Sequence, residues 1–166
     1  MAVNQSNLYY IIQSITIVVT GICLIAGIIW NRIVTRRRAT IDMLLQELTN
    51  MDLLKMRGAF LEMTRSEKYV DYCTQETWYS LEALPLVSVL NRYETVAIGV
   101  AEGIIDKNIY RRYWRSGLIR DWTRCKRGVL MQRANFNNPK LFIEFEALAL
   151  RWATAEERRT INRISN

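Results

Sequence analysis

No histidine occurs among the 166 residues of the chain. This excludes His-based catalytic triads, His-containing metal sites and His proton switches. Cysteine is scarce: Cys23, Cys73 and Cys125 lie about fifty residues apart, with neither a CxxC pair nor a zinc spacing. Two prolines and seven glycines are too few for a β-rich or disordered chain. Charge is missing from Met1 to Asn31; all 23 Lys and Arg and all 16 Asp and Glu lie from Arg32 onward. The charged remainder is long enough to bury one helical core.

The uncharged part contains the run Leu8 to Trp30, LYYIIQSITIVVTGICLIAGIIW. As an α-helix it would measure about 34 Å at about 1.5 Å per residue. A bilayer's hydrocarbon core is about 30 Å thick, so the run spans it with some tilt. Tyr9, Tyr10 and Trp30 fit the two interfacial aromatic belts. Arg32, Arg36, Arg37 and Arg38 follow, and this excess of cations assigns the C-terminal side to the cytoplasm and the N-terminus to the outside. The same cations suit anionic headgroups. A cleaved signal peptide would carry its positive charge before the apolar stretch, and here it comes after. A buried core helix would be shorter and flanked by turn signals. The expected layout is an extracytoplasmic tail at 1–7, a transmembrane helix at 8–30, a basic juxtamembrane segment at 31–39, a cytoplasmic helical domain at 40–153 and a polar, frayed tail at 154–166. The expected location is a bacterial inner membrane.

Within the span, Gln13, Thr16, Thr20, Cys23 and Gly27 recur at spacings of three and four and form one helical stripe of small or hydrogen-bonding residues. Such stripes favour helix contacts in lipid, although Thr and Cys also bond back to their own helix.

Beyond it, Thr40 reads as an N-cap with Asp42 in the first turn. Ile41, Leu44, Leu45, Leu48, Met51 and Leu54 then trace an amphipathic helix that Gly58 breaks or bends. From Arg65 to Ser80 the pattern is mixed, with Tyr69, Tyr72, Cys73 and Trp78 half-buried on short turns. Leu86, Val89, Leu90, Tyr93, Val96, Ala97, Val100 and Ile104 give one wide apolar face. Pro85 sits in its first turn or kinks a longer helix that starts near Thr77, with Gly103 at the C-terminal end and Asp106 at the next N-cap. A short helix over Lys107 to Arg115 is expected to stop at Ser116-Gly117, followed by another from Leu118 to Gln132. Asn138 as N-cap and Pro139 at the first helical position predict a helix restart, with Leu141, Phe142, Phe145, Leu148, Ala149 and Trp152 on its core face. Thr154-Ala-Glu-Glu157 has the form of a capping box. No segment alternates with period two. The fold class is all-α, a small helical bundle beneath one span.

Phosphate-cradling glycine motifs are missing, and no cofactor is expected. Gly99-Val-Ala-Glu-Gly103 is a GxxxG spacing suited to close helix packing. Glu94 and Glu102 lie about 12 Å apart along a helix, too far for direct acid–base cooperation. No activating histidine accompanies Cys73 or Cys125. An enzyme is not expected. Charge is more informative: Tyr69 to Tyr110 is acidic, whereas Arg111 to Arg133 carries eight basic residues and one acidic. In the second stretch Arg111, Arg112, Arg115, Arg120, Arg124 and Arg127 interleave with Tyr110, Tyr113, Trp114 and Trp122. This combination suits lipid headgroups or a protein partner, phosphates with base stacking in a nucleic acid, or ion pairs within the bundle. Asn91 and Glu94 adjoin the apolar face, and a packing role is favoured for them, with Glu94 paired to Arg112, Arg120 or Arg151.

The segment Asn91-Arg-Tyr-Glu-Thr-Val-Ala-Ile-Gly-Val-Ala-Glu-Gly103-Ile-Ile-Asp106, followed by Trp122 and Leu148-Ala-Leu-Arg-Trp152, resembles an uncharacterised bacterial and phage domain of unknown function that commonly follows one N-terminal span. The resemblance covers about Leu81 to Trp152 and is carried by Asn91, Glu94, Gly99, Gly103 and Asp106. It implies an all-helical fold in a prokaryotic or phage setting and no particular activity. The expectation is a non-enzymatic, single-pass membrane protein, a homo-oligomer or bound to a membrane protein partner. A phage, prophage or defence accessory role is compatible with this. The alternative is a membrane-tethered nucleic-acid-binding module.

Overall fold

The structure, a computed structural model, describes residues 2–66 and 68–163, with side chains from residue 8 onward. The side chains of the tail expected at 1–7, and residues 164–166 of the tail expected at 154–166, lie outside the described residues. The fold is all-α: among the described residues there are six α-helices, α1 (Ala2–Thr49), α2 (Met51–Arg65), α3 (Leu84–Ala101), α4 (Lys107–Asn135), α5 (Ile143–Trp152) and α6 (Ala155–Arg163), with a 3₁₀ turn at Lys68–Tyr72. Its contacts divide it into two units, Met1–Arg38 and Ala39–Asn166.

The first unit is part of α1. Its apolar side chains from Leu8 to Trp30 are exposed. Thr16 donates its hydroxyl to the Ile12 carbonyl (2.9 Å) and Thr20 to the Thr16 carbonyl (2.8 Å). Such back-bonds satisfy both hydroxyls inside one helix.

In the second unit, the start of a new helix at Thr40 is corrected. Residues 39–49 continue α1, and Thr40 is a buried mid-helix residue whose hydroxyl accepts the Asp106 N–H (2.8 Å). The break falls instead at Asn50, the only residue between α1 and α2. Its backbone is extended, and its side-chain oxygen accepts the N–H groups of Asp52 (3.0 Å) and Leu53 (3.2 Å). That cap satisfies two of the orphan donors at a helix start. The stripe expected to be buried is mostly not. Leu44 is in the core, whereas Ile41, Leu45, Leu48, Met51 and Leu54 are exposed. Gly58 does not break α2; it lies on an open surface. A helical glycine costs about 1 kcal/mol, less than burial of the neighbouring Phe60 contributes.

Ser116-Gly117 likewise fails to end a helix, and one continuous α4 replaces the two expected. Leu118, Ile119 and Trp122 just beyond it are buried, at about 1.5–3 kcal/mol for a large apolar side chain, which outweighs the glycine. The restart at Asn138-Pro139 is also corrected. Asn138 closes a local turn by accepting the Lys140 N–H (3.1 Å), and α5 begins only at Ile143. Phe142 adopts a left-handed backbone (φ 55°), which costs about 1–2 kcal/mol for a residue with a Cβ and delivers its ring into the core beside Trp78. The frayed polar tail gives way to α6. The capping box forms, with the Thr154 N–H donating to Glu157 (2.7 Å) and the Glu157 N–H to Thr154 (3.2 Å). Ile161 is then wholly buried, and its carbonyl accepts Lys126 Nζ (3.0 Å).

α2 packs on α3, and α5 packs on both α3 and α4. At the centre Tyr93 stacks on Phe145 (4.5 Å between centroids), and Trp122 meets the same ring edge-on at 5.0 Å. The turns around Tyr69, Cys73 and Trp78 are buried more deeply than their mixed pattern predicts. Gly128 permits this: a Cβ there would stand 2.6 Å from the Tyr69 ring and 2.8 Å from Cys73 Sγ.

Candidate functional site

The densest chemistry in the second unit lies where α2, α3 and α4 meet. Asp121 is completely buried and forms an ion pair with Arg57 Nη2. Arg57 Nη1 donates to Tyr93 Oη (2.8 Å), Trp114 Nε1 donates to the same oxygen (2.9 Å), and Tyr93 Oη donates to Asp121 Oδ2 (2.7 Å). The hydroxyl therefore uses both lone pairs and its proton. Arg57 also lies over the Trp114 ring, 4.8 Å from its centroid, and Arg120 Nε reaches Asp121 Oδ1 at 3.3 Å. Burial and the neighbouring Asp121 carboxylate push the Tyr93 phenol well above its usual range. Burial acts to lower the Arg57 value, but Tyr93 and Asp121 outweigh it and hold the guanidinium charged above its ordinary range. Neither group is poised to exchange a proton near neutral pH, so the arrangement acts as a latch that ties three helices together. A cleft of about 130 Å³ opens beside it, lined by Leu48, Leu53, Leu54, Val89, Tyr110 and Tyr113, with the Glu47–Arg92 ion pair among its walls.

Sequence reasoning singled out neither Arg57 nor Asp121. The available signal was a charge on a buried period: Asp121 shares the Leu118, Cys125, Gly128 stripe, and Arg57 the Leu53, Phe60, Thr64 stripe.

The motif residues of α3 are distributed rather than gathered. Asn91 is exposed. Glu94 pairs with none of Arg112, Arg120 and Arg151; its carboxylate accepts the N–H groups of Glu144 (3.2 Å) and Phe145 (2.8 Å) at the start of α5. It thus replaces the side-chain cap that Phe142 lacks. The close neighbour of Gly99 is Ile105, whose side chain a Cβ would meet at 2.7 Å. Gly103 takes the left-handed conformation (φ 70°) that ends α3, and Asp106 caps α4 through the N–H groups of Asn108 and Ile109.

The basic residues of α4 divide. Arg115 is held by the Trp152 carbonyl and Glu157, and Arg120 by Asp121. Arg111, Arg112 and Arg127 stay exposed and Arg124 half-exposed. Of the interleaved aromatics, Tyr110 and Trp122 are buried, while Tyr113 and the half-buried Trp114 stack on one another (5.4 Å). In the first unit, Gln13, Thr16, Thr20, Cys23 and Gly27 are exposed along α1, and of the arginines that follow Arg32, Arg37 and Arg38 are exposed and Arg36 half-buried. Cys73 and Cys125 are buried free thiols. Burial, then Asp71, pushes Cys73 up to about 12, and burial raises Cys125 strongly. No group of residues able to hold a metal ion occurs among the described residues.

These features define an all-helical protein in which one long N-terminal helix, apolar enough to cross a membrane, precedes a packed helical domain. Residues 11–152 match the domain of unknown function DUF4760, and the chain belongs to that family. No curated protein and no solved structure matches it.

Proposed function

We propose that the chain is a non-enzymatic, single-pass membrane protein of a bacterial inner membrane, with its N-terminus outside. Its helical domain mediates protein interaction or self-association at the cytoplasmic face, as an accessory of a phage, prophage or host defence. The observation that carries this reading is the exposure of twelve Leu, Ile and Val side chains between Leu8 and Ile29 on one uncharged helix. Each contributes about 1.5–3 kcal/mol when removed from water, a total no charged group in the segment offsets. Arg32, Arg36, Arg37 and Arg38 then add about 1 kcal/mol each at an anionic leaflet. Anionic lipid suits the exposed Arg111, Arg112 and Arg127 and the half-exposed Arg124 better than nucleic acid does, because burial of Tyr110 and Trp122 removes half of the aromatics that base stacking would use.

The test is fractionation combined with side-specific labelling. The unprocessed chain should pellet with membranes and require detergent for release, whereas a shortened, soluble product would mean a cleaved leader. Native Cys73 and Cys125 are too buried to report topology, so a cysteine is placed at Leu81, which is 83% exposed. Leu81→Cys should react with an impermeant maleimide only after cell lysis. Reaction in intact cells would reverse the orientation.

A further inference from the structure

We propose that the cleft where α1, α2, α3 and α4 meet is a binding site for a small neutral phenol, a single aromatic ring whose hydroxyl bridges Tyr110 and Glu47. The site lies wholly within the second unit and does not rest on the membrane reading. Its volume of about 130 Å³ is close to that of an apolar cavity of about 150 Å³ that takes up one benzene ring. Leu48, Leu54 and Tyr113 line it and are 51%, 40% and 44% exposed, so the cleft is open to a ligand on that side. Tyr93 and Trp114 add aromatic surface to its walls, and such walls favour an aromatic guest in stacked or edge-on contact.

Two polar groups fix the chemistry. Tyr110 is 1% exposed, yet among the described residues its hydroxyl makes no hydrogen bond. The Tyr93 hydroxyl, at the same junction, makes three. A buried hydroxyl left without a partner is costly. Burial, and then the nearby Glu47 carboxylate, push the Tyr110 phenol well above its ordinary range, so it keeps its proton and can donate it. Glu47 supplies the complementary acceptor. Its Oε1 accepts both Arg92 Nε (2.8 Å) and Arg92 Nη2, and its Oε2 makes no hydrogen bond among the described residues. A guest hydroxyl accepts from Tyr110 and donates to Glu47 Oε2, which neither a hydrocarbon nor a carboxylate can do. Charge selects in the same sense. Glu47 and Asp121 balance Arg92 and Arg57, so a neutral guest leaves that balance intact while an ion enters unpaired. Water satisfies the two polar groups but not the apolar walls, which stay dry in cavities of this kind.

The experiment uses the full-length chain in detergent micelles and follows para-fluorophenol, fluorobenzene and para-fluorobenzoate by fluorine NMR, against empty micelles. The expected result is saturable binding of para-fluorophenol, about fivefold tighter than fluorobenzene, with no saturable binding of para-fluorobenzoate. Tyr110→Phe should weaken para-fluorophenol to the level of fluorobenzene and leave fluorobenzene itself unchanged; an undiminished affinity for para-fluorophenol overturns the role of Tyr110. Fluorobenzene bound as tightly as para-fluorophenol by the native chain overturns the hydroxyl bridge and leaves a plain apolar cavity. Saturable binding of para-fluorobenzoate overturns the neutral ligand in favour of an anion, and shifts no larger than in empty micelles overturn the site altogether. The three-probe comparison is made on the native chain, so it decides the proposal whether or not Tyr110→Phe folds.

Discussion

At the scale of single residues, the Arg57–Asp121 latch is the part of the domain most sensitive to substitution. Asp121 is fully buried, so its removal strands a guanidinium in a poorly solvated site. Breaking one side of such a pair typically costs about 3–5 kcal/mol. Asp121→Ala is therefore expected to lower stability by about that amount in urea denaturation of the detergent-solubilised chain. The double variant Arg57→Met/Asp121→Leu should recover most of the loss, because apolar replacement of both partners removes the desolvation penalty together with the attraction. Equal losses in single and double variants would show that the charges do not act as a pair. Neither residue stands out in the sequence, since a lone Asp in a strongly basic stretch reads first as a surface counter-ion. What marks Asp121 is its place on a buried stripe, and that becomes decisive only when a cation from a helix sixty-four positions away is brought to it.

At the scale of elements, the apolar faces of α3 and α5 and the caps at Asp106 and Thr154 were legible because local periodicity and local hydrogen bonding fix them, except that Ile104, expected on the α3 face, lies beyond the end of α3 and is exposed. Three boundaries were not. Thr40, Gly117 and Asn138 each carry a stop or start signal worth about 1 kcal/mol, and burial of neighbouring large side chains outweighs it at Gly117. At Asn138 the cap is instead supplied from another helix. Glu94→Ala should therefore destabilise the chain by about 1–2 kcal/mol, with amide exchange at Glu144 and Phe145 rising before that of α3. Uniform acceleration would count against a cap. α6 responds to acid by a related device. The Thr154 backbone N–H, opposed by burial, and then Arg115 hold the Glu157 carboxyl below its ordinary value of 4.5. A lowered folded value means that this stabilisation is complete above the ordinary value and fades as pH falls through the folded one. Amide exchange in α6 should thus rise below about pH 4.5, and Glu157→Gln should exchange faster at neutral pH and show a flatter acid response.

For the molecule as a whole, contacts fall into two units that meet within a single helix. The core, the latch and the caps all lie in residues 39–163. A chain beginning at Ala39 is therefore expected to fold, with a cooperative thermal transition followed by circular dichroism at 222 nm. A gradual, non-cooperative loss of ellipticity would show that the domain depends on the preceding segment. The all-helical class, the apolar N-terminal helix and most of the core were readable from residue pattern alone, because each depends on neighbours in the chain. The bridging contacts were not, because each joins positions tens of residues apart. One of them orders events in time. α5 receives its N-terminal acceptor from Glu94, fifty positions upstream, so as the nascent polypeptide emerges, α3 is already available as a template when the last third of the chain arrives. Folding in that order has the C-terminal helices closing late over a preformed scaffold.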